Sequence, residues 1–569
     1  MKTDKLCGTI KIYLKWIFPV VHMVIATLYM NFGIRREPLP FGKMTPAFNI
    51  NWSEGCERAA QVLLAGIFGF CMICIAWYIL FMLIKKKKIL PFILAGIALM
   101  ISFIVFPGSF SYELDNLVVY SYAVRDMPDY WQSIYLGSIY KACLFVFPHP
   151  LTISFIQLSS LFGVIYYISV RVKRLFGNKA AFIPYLLVLF PEFLEVGVSP
   201  YRNCIYTIMC LWFYAVLFFD CFEKKKRSVS ELLLICGAGG ILTFFRSEGI
   251  IIPGILIAGF CFIYQMSFKR TCKYLTIFAL IGIMLAFPQK LGAKKYYGQD
   301  YSIINSMNML KAILSDKNVN LDYDSAEEDL MAIHKIVSLE ELPTYGIHAY
   351  EAGNFVKNGT INQSFASKEE SQAFMKAVKN LVIHNPDLFI KCRLVMFCET
   401  NGVVSVSEDP YPTEEWNRMF EVLLKEWNYS YGEILMDSYP QRIFADRAKL
   451  DMADAVTSFQ ERYYDWACRS NLVFIARVMV FVLFPVLVIY DVIVYAKKER
   501  TFFAAVAFLL MAQLAAIVLL CPQERNVYYF PSYFVMLLGC FLLSLDIMKK
   551  SRQVKMMLPA VTDKLNTMP

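Results

Sequence analysis

ELLLICGAGGILTFFRSEGIIIPGILIAGFCFIYQMSFKR, residues 231–270, is two apolar runs folded back on each other at one short turn. Neither run alternates polar with apolar residues, so neither reads as a strand of a membrane barrel. Each reads as a bilayer-crossing helix, over 230–245 and 249–267. Only Arg246, Ser247 and Glu248 separate the two spans, and the basic stretch FKRTCK (268–273) follows the second. A charged turn at one end and a basic loop at the other give the pair a direction across the membrane.

The same pattern repeats through the chain. Of 569 residues 57% are hydrophobic and 18% charged, against about a quarter charged in an ordinary soluble protein. The formal net charge of +10 is not spread over a nucleic-acid face. It sits in short clusters between apolar runs, where it sets topology instead of binding a polyanion. KKKK (85–88), RVKRLFGNK (171–179), EKKKR (223–227), FKRTCK, KKER (497–500) and KKSRQVK (549–555) are such clusters. The lysine-bearing N-terminus belongs with them.

With these clusters cytoplasmic, spans fall at 12–32, 60–84, 89–107, 150–170, 180–197, 203–222, 230–245, 249–267, 273–289, 471–496, 502–520 and 527–548. The expected fold is therefore all-α and polytopic, about twelve transmembrane helices with both termini cytoplasmic, in the plasma membrane. The first segment lacks a small-residue cleavage site and reads as a retained helix. The stretch 134–148 is short and carries Lys141, so it is expected to lie along the outer interface.

Three regions follow. Residues 1–289 form a module of nine spans with an outer loop at 108–149. Residues 290–470 form an α-rich extracytoplasmic insertion, and 471–569 hold three spans and a cytoplasmic tail. Most of the 16 cysteines lie inside apolar runs and no CxxC stands beside a His pair, so no zinc site is expected. Cys392 and Cys398 are close enough in sequence for pairing to stay open.

The outer surface carries charges that the topology does not require. GSFSYELDNLVVYSYAVRD (108–126) sets Glu113 and Asp115 next to a span. Arg202, Arg246 and Arg525 each sit in a tight outer turn, two of them with an acid, Glu248 and Glu524. An arginine at a helix end can simply snorkel into headgroups. Charges that converge at membrane depth are functional by default. Arginine forks hold phosphate bidentately, and a neighbouring carboxylate accepts a proton from an attacking hydroxyl. Together they suit a phosphate-linked donor whose leaving group is an anion.

An early outer loop with an acidic pair, followed by many spans and short arginine turns, resembles the GT-C superfamily of polytopic glycosyltransferases. Glu113-Leu114-Asp115 matches its first-loop acidic motif, and Arg246-Ser247-Glu248-Gly249 is similar to an Arg-x-Glu-Gly turn of bacterial members. Arg202 with Asn203, and Arg525 with Tyr528 or Tyr529, look like its further arginine turns. The resemblance covers the first 290 residues and the last 100. The first loop here follows the third span instead of the first, and the position of the insertion is unlike a known subfamily.

The resemblance implies transfer of a sugar from a polyprenyl-phosphate donor to a cell-envelope glycan, lipid or protein acceptor. Asp115 is then the general base, with Glu113 its alternative or a co-ligand of a divalent cation. No cofactor is assigned; the resemblance leaves a divalent cation open, and two carboxylates alone do not make a metal site. Arg202, Arg246, Arg525 and Tyr528 would hold the donor phosphate, with Glu248, His149 and Trp131 in support. His149 also reads as a loop residue between prolines, and Trp131 as part of an interfacial aromatic belt. Two other classes stay open: a transporter or flippase of lipid-linked glycans, or a non-catalytic envelope-biogenesis protein. The absence of an internal repeat in the sequence weighs against a transporter.

Overall fold

A computed structural model describes residues 17–28, 52–86, 119, 123, 128, 133–148, 151–186, 193, 196–197, 201–296, 301–340, 342, 367–400, 471–495, 500–520 and 528–566. The elements are α1 (Ile17–Leu28), α2 (Trp52–Lys86), α3 (Ile134–Val146), α4 (Leu151–Phe176), α5 (Arg202–Glu223), α6 (Val229–Phe245), α7 (Ser247–Ile263) and α8 (Phe268–Tyr296). After these come α9 (Tyr301–Leu314), α10 (Ala326–His334), α11 (Lys368–His384), α12 (Pro386–Thr400), α13 (Asn471–Tyr495), α14 (Thr501–Leu520) and α15 (Phe530–Asn566). There is no strand among the described residues. Helices satisfy every backbone donor and acceptor within one segment, which an apolar medium demands.

Among the described residues seven helices are long and apolar enough to cross a membrane: parts of α2, α4, α5, α8, α13, α14 and α15. They coincide with seven of the twelve spans read from the sequence. Span 89–107 lies outside the described residues, as do 187–192, 194 and 195 of span 180–197. The helices α6 and α7 are present but short. α7 is also broken, starting as a 3-10 turn (Ser247–Ile251), becoming α over Ile252–Ala258 and ending as a π segment (Gly259–Ile263).

The chain divides into two compact units. The first holds α1 to α3, α4 up to Val170 and the start of α5. Here the expectation for 134–148 is corrected. An interfacial helix leaves one face outward, but α3 is buried on all sides, Lys141 included. α2 makes this possible at Gly69, where a Cβ would stand 2.6 Å from the Phe145 ring. His22 on α1 joins the same packing: its Nε2 is 2.9 Å from the Val146 carbonyl, and its Nδ1 accepts from Trp77 Nε1 at 3.2 Å.

The second unit takes the end of α4, runs from Met209 in α5 through α12 and resumes at α13. One of its ends is an ionic layer. Asp220, fully buried on α5, accepts both Nε and Nη2 of Arg227 at 2.7 and 2.8 Å, and the Tyr264 hydroxyl at 2.7 Å. Arg171 stands 3.6 Å from Asp220 and 2.9 Å from Glu223. Nearby, Arg500 donates to Asp546 at 2.7 Å, stands 3.5 Å from Asp491 and lies over the Phe222 ring at 4.6 Å. Lys549 donates to the Leu175 carbonyl at 2.9 Å. Members of four basic clusters (171–179, 223–227, 497–500 and 549–555) thus share one end of the unit.

α6 starts in this layer. Its N-cap Ser228 and Glu231 form a reciprocal capping box. Arg227 and Arg246 flank opposite ends of α6, whose 17 residues span about 25 Å. The charged turn therefore lies at the far end from the basic layer, as the sequence direction requires.

The described part of the polar segment, α9 to α12, builds a small core of its own around Met307, Leu310, Ile313, Phe374 and Leu381. Buried Asn385 ties it together, donating to the Asn320 and Leu381 carbonyls and accepting from the Asn320 amide. Cys392 and Cys398 are thiols on one helix, six residues and about 9 Å apart. That distance along a rigid helix forbids the pairing the sequence left open.

Two carboxylates in this segment titrate low. The Asn318 backbone amide, then the Lys391 ammonium, hold Asp316 below its usual range, and the Ser367 amide does so for Glu370. A depressed folded pKa gives stability that is complete above the unfolded pKa, near 4, and lost as pH falls through the folded value. Hydrogen exchange of α9 to α12, corrected for its intrinsic pH dependence, is expected to accelerate below about pH 4. Asp316→Asn removes part of that response.

Candidate functional site

The turn between α6 and α7 is built on Gly249. A Cβ there would stand 2.2 Å from the Leu242 carbonyl oxygen and 2.6 Å from the Thr243 Cα. Only glycine lets α7 start this close to the backbone of α6. The turn projects Arg246, whose backbone is extended, and Glu248 from consecutive parts of one loop. Arg246 offers the Nε–Nη2 edge of its guanidinium to the Glu248 carboxylate, with Nε–Oε2 at 2.9 Å and Nη2 on Oε1. Ser247 Oγ also donates to that carboxylate, at 3.1 Å. Their side chains are only 4% and 10% exposed, so the pair is shielded from solvent screening.

Two distant stretches complete the cluster. The Tyr528 ring, just before α15, lies 5.4 Å from the Arg246 guanidinium carbon, in cation–π range. Gln513 of α14 donates to the Glu248 carbonyl at 3.1 Å, and Ser532 of α15 donates to Gln513 Oε1 at 3.2 Å. The result is a permanent cation, a carboxylate that keeps it charged and oriented, and a phenol ring. An arginine beside a phenol ring belongs to the chemistry that binds phosphate and other anions in proteins generally.

The structure thus brings together Arg246, Glu248 and Tyr528 of the residues named from the sequence. Arg202 opens α5 in the first unit, next to fully buried Asn203. Glu113, Asp115, Trp131, His149 and Arg525 lie outside the described residues.

Sequence reasoning missed Gln513 and Ser532. The signal for Gln513 was present, since it is the one amide in the apolar helix TFFAAVAFLLMAQLAAIVLL. It also passed over the loop after α9. Asp316, Asn318, Asn320, Asp322, Asp324 and Glu327 follow the 1-3-5-7-9-12 spacing of a helix–loop–helix calcium site, with Leu321 in the glycine position. In the structure Asp316 is engaged by Lys391 at 2.9 Å and by the Asn318 amide at 3.0 Å. No group of three or more His, Cys, Asp or Glu is gathered for a metal among the described residues.

Comparison with protein-family models, curated proteins and solved structures finds no significant match to this chain. What its own helices define is a class: a multi-pass, α-helical membrane protein. Within that class, it carries a buried arginine–glutamate turn stacked on a tyrosine at the end of its helices away from the basic layer.

Proposed function

We propose that the protein is a glycosyltransferase that moves a sugar from a polyprenyl-phosphate donor to an acceptor outside the cytoplasm. The observation that carries this reading is the Arg246–Glu248 pair, buried beneath Tyr528 at the membrane end opposite the basic layer. With that layer cytoplasmic by the positive-inside bias, the turn faces outward. A lipid-linked donor presents its phosphate at that depth, beside the bilayer surface.

In this scheme the acceptor hydroxyl attacks the anomeric carbon as the carbon–oxygen bond to the phosphate breaks. The electron pair leaves on the phosphate, and the hydroxyl proton passes to Asp115, with Glu113 beside it. Arg246 meets the charge that develops on the leaving oxygen, which is where a fixed cation lowers the barrier most. Tyr528 limits the swing of the guanidinium, and Glu248 keeps it aimed. The sidedness of these roles rests on the same assignment of the basic layer.

Transfer of radiolabelled hexose from a polyprenyl phosphate to crude envelope acceptor, by purified protein in lipid, tests this. Asp115→Asn is expected to lower turnover by about 100- to 10,000-fold with donor binding preserved. Equal turnover in wild type and variant removes Asp115 as the base. Donor carried across vesicles without any sugar transfer identifies a flippase instead.

A further inference from the structure

We propose that α12, although part of the polar segment, lies against the lipid surface, with its C-terminal half immersed at the boundary of headgroups and acyl chains.

α12 has two sides. Leu388, Cys392, Arg393 and Met396 are buried toward the segment's own core and neighbours. On the other side Ile390 and Leu394 are each 53% exposed and Val395 42%. The outward side also changes along the helix. Its first turns carry Asp387 and Lys391, both exposed, beside Ile390, whereas past Lys391 the outward residues whose side chains are described are apolar, Leu394 and Val395. A helix entering a bilayer edge obliquely, polar end first, has this gradient. A lysine at the crossing point keeps its ammonium in water while its stem lies on apolar surface.

The position of α12 identifies what covers that side. Its C-terminal end packs on membrane-spanning elements: α12 touches α14, and the Phe397 ring meets Tyr529 edge-on with centroids 5.7 Å apart. α14 runs from Arg500 in the basic layer past Gln513 beside the charged turn, so Leu519 and Leu520 lie at the same end as Tyr529. Those two leucines are 44% and 69% exposed. On a spanning helix such exposure is contact with lipid. The apolar side of α12, Leu394 and Val395, lies toward that surface. A water-facing helix in this place would leave Ile390, Leu394 and Val395 exposed to water.

Photo-crosslinking reads this directly. Full-length protein in nanodiscs of phosphatidylglycerol and phosphatidylcholine carries p-benzoylphenylalanine at one position, Leu394 or, separately, Asp387 or Ile390. After irradiation, α12 peptides are examined for covalent phospholipid by mass spectrometry. The expected result is phospholipid adduct at 394 and 390, at least about fivefold above that at 387. Because position 394 is half exposed, the replacement has room, and Ile390 is an independent second site. No lipid adduct at either position, or equal yield at 387, overturns the proposal. So does an adduct to a peptide of another molecule, which makes this side an interface between copies.

Discussion

Asp220→Ala is expected to cut the yield of monodisperse protein severely and to lower its thermal midpoint in detergent by many degrees. The substitution leaves Arg227 and Arg171 in a buried site without the carboxylate that both face. It also strips the Tyr264 hydroxyl of its acceptor at the end of the broken α7 helix. Removing one partner of a buried ion pair costs about 3–5 kcal/mol, far more than the pair itself contributes. Asp220→Asn keeps an acceptor for Tyr264 but not the charge, so it is expected to fall between wild type and alanine. The measurement is size-exclusion recovery after a temperature series. Wild-type recovery of Asp220→Ala contradicts the view that this layer holds α4, α5 and α7 together.

Gly249→Ala is the second large effect. The added methyl meets the backbone of α6 at 2.2 and 2.6 Å, and backbone cannot turn aside as a side chain can. The start of α7 must move, and with it Glu248, the carboxylate that aims Arg246. Overpacking of this kind costs about 1–3 kcal/mol or more. The expected outcome is folded but destabilised protein in which the proposed sugar transfer falls more than stability alone explains. Gly237→Ala supplies the control, because nothing lies within 4 Å of its Cβ position. There a helical alanine is expected to be neutral or to add up to about 1 kcal/mol. Equal behaviour of the two variants contradicts the role given to the turn.

Much of this architecture was legible because a bilayer constrains sequence so strongly. Runs such as 502–520 and 527–548 have few alternatives to a helix, and α14 and α15 stand where they were expected. The placing of the arginine turn and the basic residues at opposite ends of α6 was also legible. The short, broken form of α7 was not. A π segment depends on how Phe260 and Tyr264 pack and on the reach of Tyr264 to Asp220, which are tertiary facts. The burial of α3 was hidden for the same reason. Composition reports that a helix is apolar but not that α2 leaves a glycine for its phenylalanine.

The site was legible in part. Arg246 and Glu248 are neighbours in sequence, so their pairing needs only a tight turn. Tyr528 was named from the resemblance, and its place on the Arg246 guanidinium comes from packing between elements some 280 residues apart. Gln513 was passed over because a lone amide in an apolar helix is easily read as tolerated, whereas here it fixes the Glu248 carbonyl. The acids of the basic layer were not legible because Asp220, Asp491 and Asp546 meet their arginines only through packing between helices.

The central claim is that Arg246 holds the phosphate of a lipid-linked donor. The most direct test is retention of polyprenyl phosphate by purified protein, followed by native mass spectrometry, with neutral polyprenol as the comparison. The account predicts that wild type retains the phosphate lipid in preference to the alcohol, and that Arg246→Gln loses this preference while keeping its mass and fold. Equal retention of phosphate and alcohol by wild type, or an undiminished preference in Arg246→Gln, would contradict it.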